Sequence, residues 1–147
     1  MIAIDTNVLL RYLLADDIDQ HNKAKSVIRG HLPVLITDVV LSETIWTLTG
    51  KRYDLDKTAL CSVVRGLLND GVFVYEDSQV IWSALCDFED SKPVRNKALD
   101  FVDALIVNKA HQVAEKMGDP LSAFYSFDKA IEQLENAHKP YSEWSYE

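Results

Sequence analysis

At 147 residues, with 48% hydrophobic and 26% charged residues, the chain is long enough for one domain with a real core and ordinary in composition for a soluble globular protein. No apolar run reaches the roughly 18 residues that a transmembrane helix needs, and the start of the chain lacks the basic and apolar stretches of a secretory signal. A net charge of -8, from 23 acids against 15 bases, argues against a simple nucleic-acid-binding module, which is usually basic. It leaves room for an enzyme that meets phosphate through metal ions, or for a protein that receives a basic partner segment.

Ile2 to Ile4 is an unbroken apolar run and predicts a buried strand. Asp5 ends it, Thr6 and Asn7 read as cap residues, and from Val8 the apolar positions take helical spacing. A carboxylate is therefore planted where a strand ends and a helix begins, the place where open α/β sheets bind ligands. Asp16 to Asp19 is a charged turn that starts a second helix, with Ala24, Val27 and Ile28 as its apolar stripe and Gly30 at its end. Pro33 to Thr37 predicts the second strand. The helix after it, about 38–50, has Val39, Val40, Ile45, Trp46 and Leu48 as expected core and Glu43 within it.

Asp54 to Asp56 opens a helix with Leu60, Val63, Val64, Leu67 and Leu68 at helical spacing, and Asn69 to Gly71 breaks it. Val72 to Tyr75, β-branched and aromatic, predicts the third strand. Asp77 and Ser78 cap a helix holding Val80, Ile81, Trp82, Leu85 and Phe88. A loop from Asp90 to Lys97 follows, with Pro93 and three bases. The next helix, about 99–117, is apolar on nearly all sides and should be deeply buried, yet Asp100 and Asp103 share one face of its first turn. Leu121 to Ser126 predicts a fourth strand, Phe127 and Asp128 a last helix with Ile131 and Leu134 as core, and Pro140 to Tyr146 an edge strand. Strands that alternate with helices call for a mainly parallel central sheet covered on both faces, a three-layer α/β/α sandwich in one domain, residues 1–147.

That topology puts Asp5 and Asp128 at strand ends, with Glu43 about a turn into a helix and Asp100 and Asp103 at the head of another. A carboxylate in apolar surroundings costs several kcal/mol unless paired or bound to a cation, and no Lys or Arg lies within a turn of Asp103 on its own helix. Clustered carboxylates repel one another, and all-oxygen ligands select Mg²⁺ or Mn²⁺. The chemistry such a set supports is metal-assisted phosphodiester hydrolysis. The bland alternative is that acids at helix N-termini merely complement the helix dipole, which is the reading for Asp38, Asp54, Asp56 and Asp77.

Asp5-Thr-Asn-Val-Leu-Leu, Leu41-Ser-Glu43, Asp100-Phe-Val-Asp103-Ala-Leu-Ile106 and Ser126-Phe-Asp128 resemble, in order and spacing, the motifs of PIN-domain ribonucleases, and most closely VapC toxins of type II toxin–antitoxin modules. The resemblance places the four motif carboxylates on Asp5, Glu43, Asp103 and Asp128. It makes Asp100 a secondary ligand, and Thr6 and Ser126 polar supports of the site. It implies Mg²⁺- or Mn²⁺-dependent endonucleolytic cleavage of RNA, often tRNA or ribosomal RNA, a homodimer in the cytoplasm, and neutralisation by a VapB-type antitoxin. Arg11, Lys51, Arg52, Lys92, Arg95 and Lys97 are the candidate RNA-binding bases, with the loop before Asp100 favoured. His21, His31, His111 and His138 have no ligand-like spacing, and Cys61 and Cys86 read as buried free thiols of a reducing compartment. Trp46 and Trp82 read as core or dimer packing. The rival readings are an RNA-processing nuclease without a toxin role, a phosphoacceptor or phosphatase domain, and a non-catalytic dimerisation domain. A phosphatase of that kind would want Asp rather than Asn7, and a receiver domain a late Lys where Asp128 stands.

Overall fold

In the computed structural model of the chain, residues 1–140 are described. They form a mixed α/β fold of the PIN-like α/β/α class, with six α-helices and short strands that all pair in parallel. The chain divides into two compact units, residues 1–78 and 79–147.

The first unit holds strands β1 (Ile2–Ala3), β2 (Val34–Ile36) and β3 (Phe73–Tyr75) in the order β1-β2-β3. Ile2 registers with Val34, and Val34 with Phe73. Parallel neighbours need crossovers, and helices supply them. Helices α1 (Thr6–Leu14) and α2 (Ile18–Ile28) join β1 to β2, while α3 (Asp38–Thr49) and α4 (Lys57–Asn69) join β2 to β3. The apolar runs read as strands are the ones that pair, because Val34 and Ile36 are wholly buried where a polar side chain would be stranded. Leu9 on α1 and Ile28 on α2 are also wholly buried; each such side chain contributes about 1.5–3 kcal/mol by leaving water.

The second unit holds α5 (Ser78–Asp90), α6 (Phe101–Lys116) and the two-stranded parallel pair β4 (Phe124–Tyr125) and β5 (Ala137–His138). Phe88 of α5 meets Phe101 of α6 edge to face at 5.8 Å, and Ala84, Leu85 and Ala104 are buried with them.

Several expectations change. The first helix is capped by Asp5, the plain reading of that residue, and not by Thr6 or Asn7. The last helix is a single 3-10 turn, Ile131–Gln133, because Asn136 turns left-handed and the chain goes straight into β5. The fourth strand pairs with β5, a two-residue strand too short to leave a periodicity, and not within the β1-β2-β3 sheet. Val39 and Trp46 are 65% and 53% exposed, so α3 packs through Leu41, Thr44, Ile45 and Leu48 instead. Trp82 is exposed as well, and α6 leaves Ile106 and Val113 open to solvent, so one of its faces is not buried. Of the cysteines, both free, Cys61 is buried and Cys86 half-buried. The edge strand expected over Pro140 to Tyr146 falls at and beyond the last described residue. No helix among the described residues is long and apolar enough to cross a membrane.

Candidate active site

Five helices begin with a side chain closing their first turn, and four of those caps are aspartates. Asp5 accepts from the Val8 amide at 3.0 Å, Asp17 from Gln20 at 3.0 Å, Asp56 from Ala59 at 2.8 Å and Asp100 from Val102 at 3.2 Å. Thr37 does the same for α3. A carboxylate there satisfies an orphan amide and meets the positive end of the helix dipole. Capping thus accounts for the position of Asp5 and Asp100, while each retains oxygen lone pairs beyond the one bond.

In the first unit Asp5 stands at the carboxyl end of β1 and is solvent-exposed. The next residue reaches the second motif acid: the Thr6 hydroxyl donates to Glu43 Oε2 at 3.2 Å. That bond ties the start of α1 to the second turn of α3, and Glu43 is otherwise open to solvent. Arg11 is not free for a ligand. Its Nη1 donates to Asp16 at 3.0 Å, and Asp16 also accepts from the Tyr53 hydroxyl at 3.1 Å.

In the second unit Asp100, Asp103 and Asp128 act on one another. Asp103 is half-buried, and its pKa rises from 3.8 to about 6, first by burial and then by the negative charges of Asp100 and Asp128, against a smaller opposing pull from Lys97. Asp128 behaves in the opposite way. The Lys97 ammonium donates to its Oδ2 at 2.9 Å and is the main reason its pKa falls, while Oδ1 accepts from the Ala130 amide at 2.9 Å. Ser126 supports this turn, its hydroxyl oxygen accepting from the Asp128 amide at 3.0 Å.

Of the sequence-derived site residues, Thr6 and Glu43 are brought together in the first unit beside the Asp5 cap. Asp100, Asp103, Asp128, Ser126 and Lys97 form a second set in the other unit. Lys92 and Arg95 lie exposed in the loop before Asp100, and neither side chain has an ion-pair partner among the described residues. Sequence reasoning placed Lys97 with the RNA-binding bases and missed its pairing with Asp128, 31 positions away in a different element. It also missed Gln133, whose amide bonds the backbone of Lys92 in both directions, at 3.0 and 3.1 Å. No spacing rule connects those positions. The histidines are satisfied or peripheral as expected: His21 Nδ1 donates to the Arg11 carbonyl at 3.0 Å and stacks on Tyr12, and His111 meets the Glu135 carbonyl.

Among the described residues no three His, Cys, Asp or Glu side chains are drawn into metal-holding proximity. Lys97 pairs with Asp128, and a helix cap takes one oxygen each of Asp5 and Asp100. The donor set nevertheless fits a hard divalent cation. It is all carboxylate oxygen, and burial with like charge leaves Asp103 short of compensation, which a cation would supply.

The chain belongs to the PIN domain family, whose pattern matches residues 2–137 and so runs through both units. PIN domains are generally metal-dependent nucleases and are often found in toxin–antitoxin systems. No curated protein matches the chain at a significant level.

Proposed function

We propose that the chain, taken as one PIN domain over residues 1–147, is a divalent-cation-dependent endoribonuclease and the toxin of a VapBC-type module. What supports this reading most is the electrostatics around Asp103, where three carboxylates share one region and one is pushed to about 6 by burial and its neighbours. A carboxylate perturbed by burial and by like charges, in a nuclease family, is a functional pointer. Asp5, Glu43, Asp103 and Asp128 would hold Mg²⁺, or Mn²⁺ in its place, with Asp100 as a further ligand. The ion, when bound, supplies an activated water and charge compensation on the phosphoryl oxygens.

The chain's own groups do the rest. The Thr6 hydroxyl fixes one oxygen of Glu43, leaving the other to accept a proton from the attacking water. Ser126 and the Ala130 amide hold Asp128 in one orientation. Lys92 and Arg95 are free to contact phosphates flanking the scissile bond. Water attacks the phosphorus, the bond to the leaving ribose oxygen breaks, and that oxygen takes up a proton. The substrate in this reading is tRNA or ribosomal RNA, the assembly a homodimer in the cytoplasm. The neutralising partner is a VapB-type antitoxin whose basic segment enters the acidic region, as the net charge of -8 favours by steering.

The test is incubation of total cellular RNA with wild type and with Glu43→Gln, in Mg²⁺, Mn²⁺ or EDTA, followed by sequencing of new ends. Cuts at a few sites, present with metal and absent from the variant, are expected. Indiscriminate cutting would keep the chemistry and remove the toxin assignment in favour of general RNA processing. A non-catalytic dimerisation domain is the second reading, and the local satisfaction of Asp5, Asp100 and Asp128 by caps and a lysine favours it. No cutting under any condition would select it.

A further inference from the structure

Lys97 sits where its loop forces it to sit. Arg95 and Asn96 are both left-handed, at φ 52° and 64°, the signature of a tight two-residue reversal. Val94 and Lys97 close that reversal with two backbone bonds of 2.9 and 3.0 Å. The loop is then fastened to the segment just after Asp128. The Gln133 amide donates to the Lys92 carbonyl at 3.1 Å, accepts from the Lys92 amide at 3.0 Å, and donates to the Ala130 carbonyl at 2.7 Å. Loop and Asp128 turn are therefore one clamped piece, and the Lys97 ammonium is delivered to Asp128 Oδ2 at 2.9 Å with Asp103 also within its electrostatic reach. Asp128 is the less exposed partner of the pair, its side chain 18% exposed against 62% for Lys97. A partly desolvated carboxylate is stabilised by a positive partner, and among the described residues Lys97 supplies it beside the Ala130 amide.

We propose that Lys97 is a built-in counter-cation that occupies Asp128 in the metal-free protein and competes with divalent metal for it. The inference rests on the reading of Asp128 and Asp103 as metal ligands. Metal loading then requires the ammonium to let go of Oδ2, so the affinity of the centre is set lower than the carboxylates alone would give. The released ammonium, still held nearby by the clamped turn, is left free at the moment the centre fills. Asp128 is thus never left without a cation in either state.

The experiment is a Mn²⁺ titration read by the electron paramagnetic resonance of free Mn²⁺, on wild type, Lys97→Met, Lys97→Gln and Lys97→Arg, each checked for folding by circular dichroism. A partly exposed ion pair is worth up to about 1 kcal/mol, so removing the competitor should tighten Mn²⁺ binding about two- to fivefold in the Met and Gln variants. The Arg variant should stay near wild type, and the gap should narrow at high salt as the pair is screened. A gain of affinity on losing a side chain is a result that mere structural damage does not produce. If wild type binds Mn²⁺ and the Met and Gln variants bind it equally or more weakly, the counter-cation role is overturned while the metal centre stands. If none of the four proteins binds Mn²⁺, the metal-centre reading falls and takes this role with it.

Discussion

A half-buried carboxylate that repels its neighbours carries an energetic cost, and Asp103 carries it here. Its pKa is raised from 3.8 to about 6, so between those values the folded chain binds more protons than the unfolded one. The sign follows directly: without metal, this group favours folding fully only below about 3.8, and its contribution declines as pH rises through about 6. A shift of this size is about 3 kcal/mol at most, and discounted for solvent screening of a half-buried group it is about 1 kcal/mol. In EDTA at neutral pH, Asp103→Asn should therefore raise the melting temperature, by roughly 3 °C for a chain of this size, and flatten the pH dependence between pH 4 and 6 at about the same magnitude. In wild type, Mg²⁺ should stabilise the fold by mass action, about 2.7 kcal/mol at a hundredfold excess over Kd, and the variant should lose that response. Scanning calorimetry across pH, with and without Mg²⁺, checks both halves; an Asp103→Asn protein less stable than wild type in EDTA would contradict the account. Glu43 gives the opposite profile. It is exposed, and its carboxylate accepts from the Thr6 hydroxyl, so Glu43→Gln should leave stability within about 0.5 kcal/mol while abolishing the metal-dependent cutting.

At the scale of the element, stability and chemistry meet in the caps. Asp5 closes the first turn of α1, so Asp5→Ala should cost about 1 kcal/mol of stability for that reason alone, whatever its catalytic role. Asp5→Ser separates the two, because a serine restores the bond to the Val8 amide without the charge. We expect Asp5→Ser to melt within about 0.5 kcal/mol of wild type and to be as inactive as Asp5→Ala, measured by denaturant unfolding and by the RNA assay together. Retained cutting in Asp5→Ser would reduce Asp5 to a cap. The same elements show what a sequence can reveal. β2 and β3 were legible because parallel strands are runs of Ile, Val, Leu and Phe, and α4 because its cap and stripe agree, whereas Ala3 of β1 and Val27 of the expected α2 stripe are exposed. The over-reading of α3 and α6 has one cause. An apolar residue count does not say which face meets the core, and Val39, Trp46, Ile106 and Val113 lie on the other one. The segment after Asp128 is a 3-10 turn and not the expected helix because its continuation is decided by tertiary bonds, those of Gln133 to Lys92 and Ala130, and not by local propensity. The four candidate acids rest on order and spacing. The lysine that answers one of them does not, since pairing across 31 residues is a property of the folded loop.

The whole molecule is acidic, and its substrate in this reading is a polyanion. With 23 acids against 15 bases, long-range electrostatics push RNA away until the site acids are neutralised. Few side chains are left to make phosphate contacts: Arg11 is held by Asp16 and Lys97 by Asp128, so Lys92 and Arg95 are the exposed bases of the candidate set beside the site without an ion-pair partner among the described residues. RNA affinity should accordingly depend on divalent metal as much as on the protein. We expect the inactive Glu43→Gln protein to hold a labelled RNA at least about tenfold more tightly in Ca²⁺ than in EDTA, as each neutralised acid both removes a repulsion and adds a bridging charge. With two phosphate contacts, the slope of log affinity against log salt should be shallow, about -1.4 on a single strand. Replacing Lys92 and Arg95 together by Gln should flatten it towards zero. A steep slope, equally strong in EDTA, would mean that the RNA is held by a basic surface other than this loop, and the assignment of the loop to substrate would then be wrong even if the acids still cut.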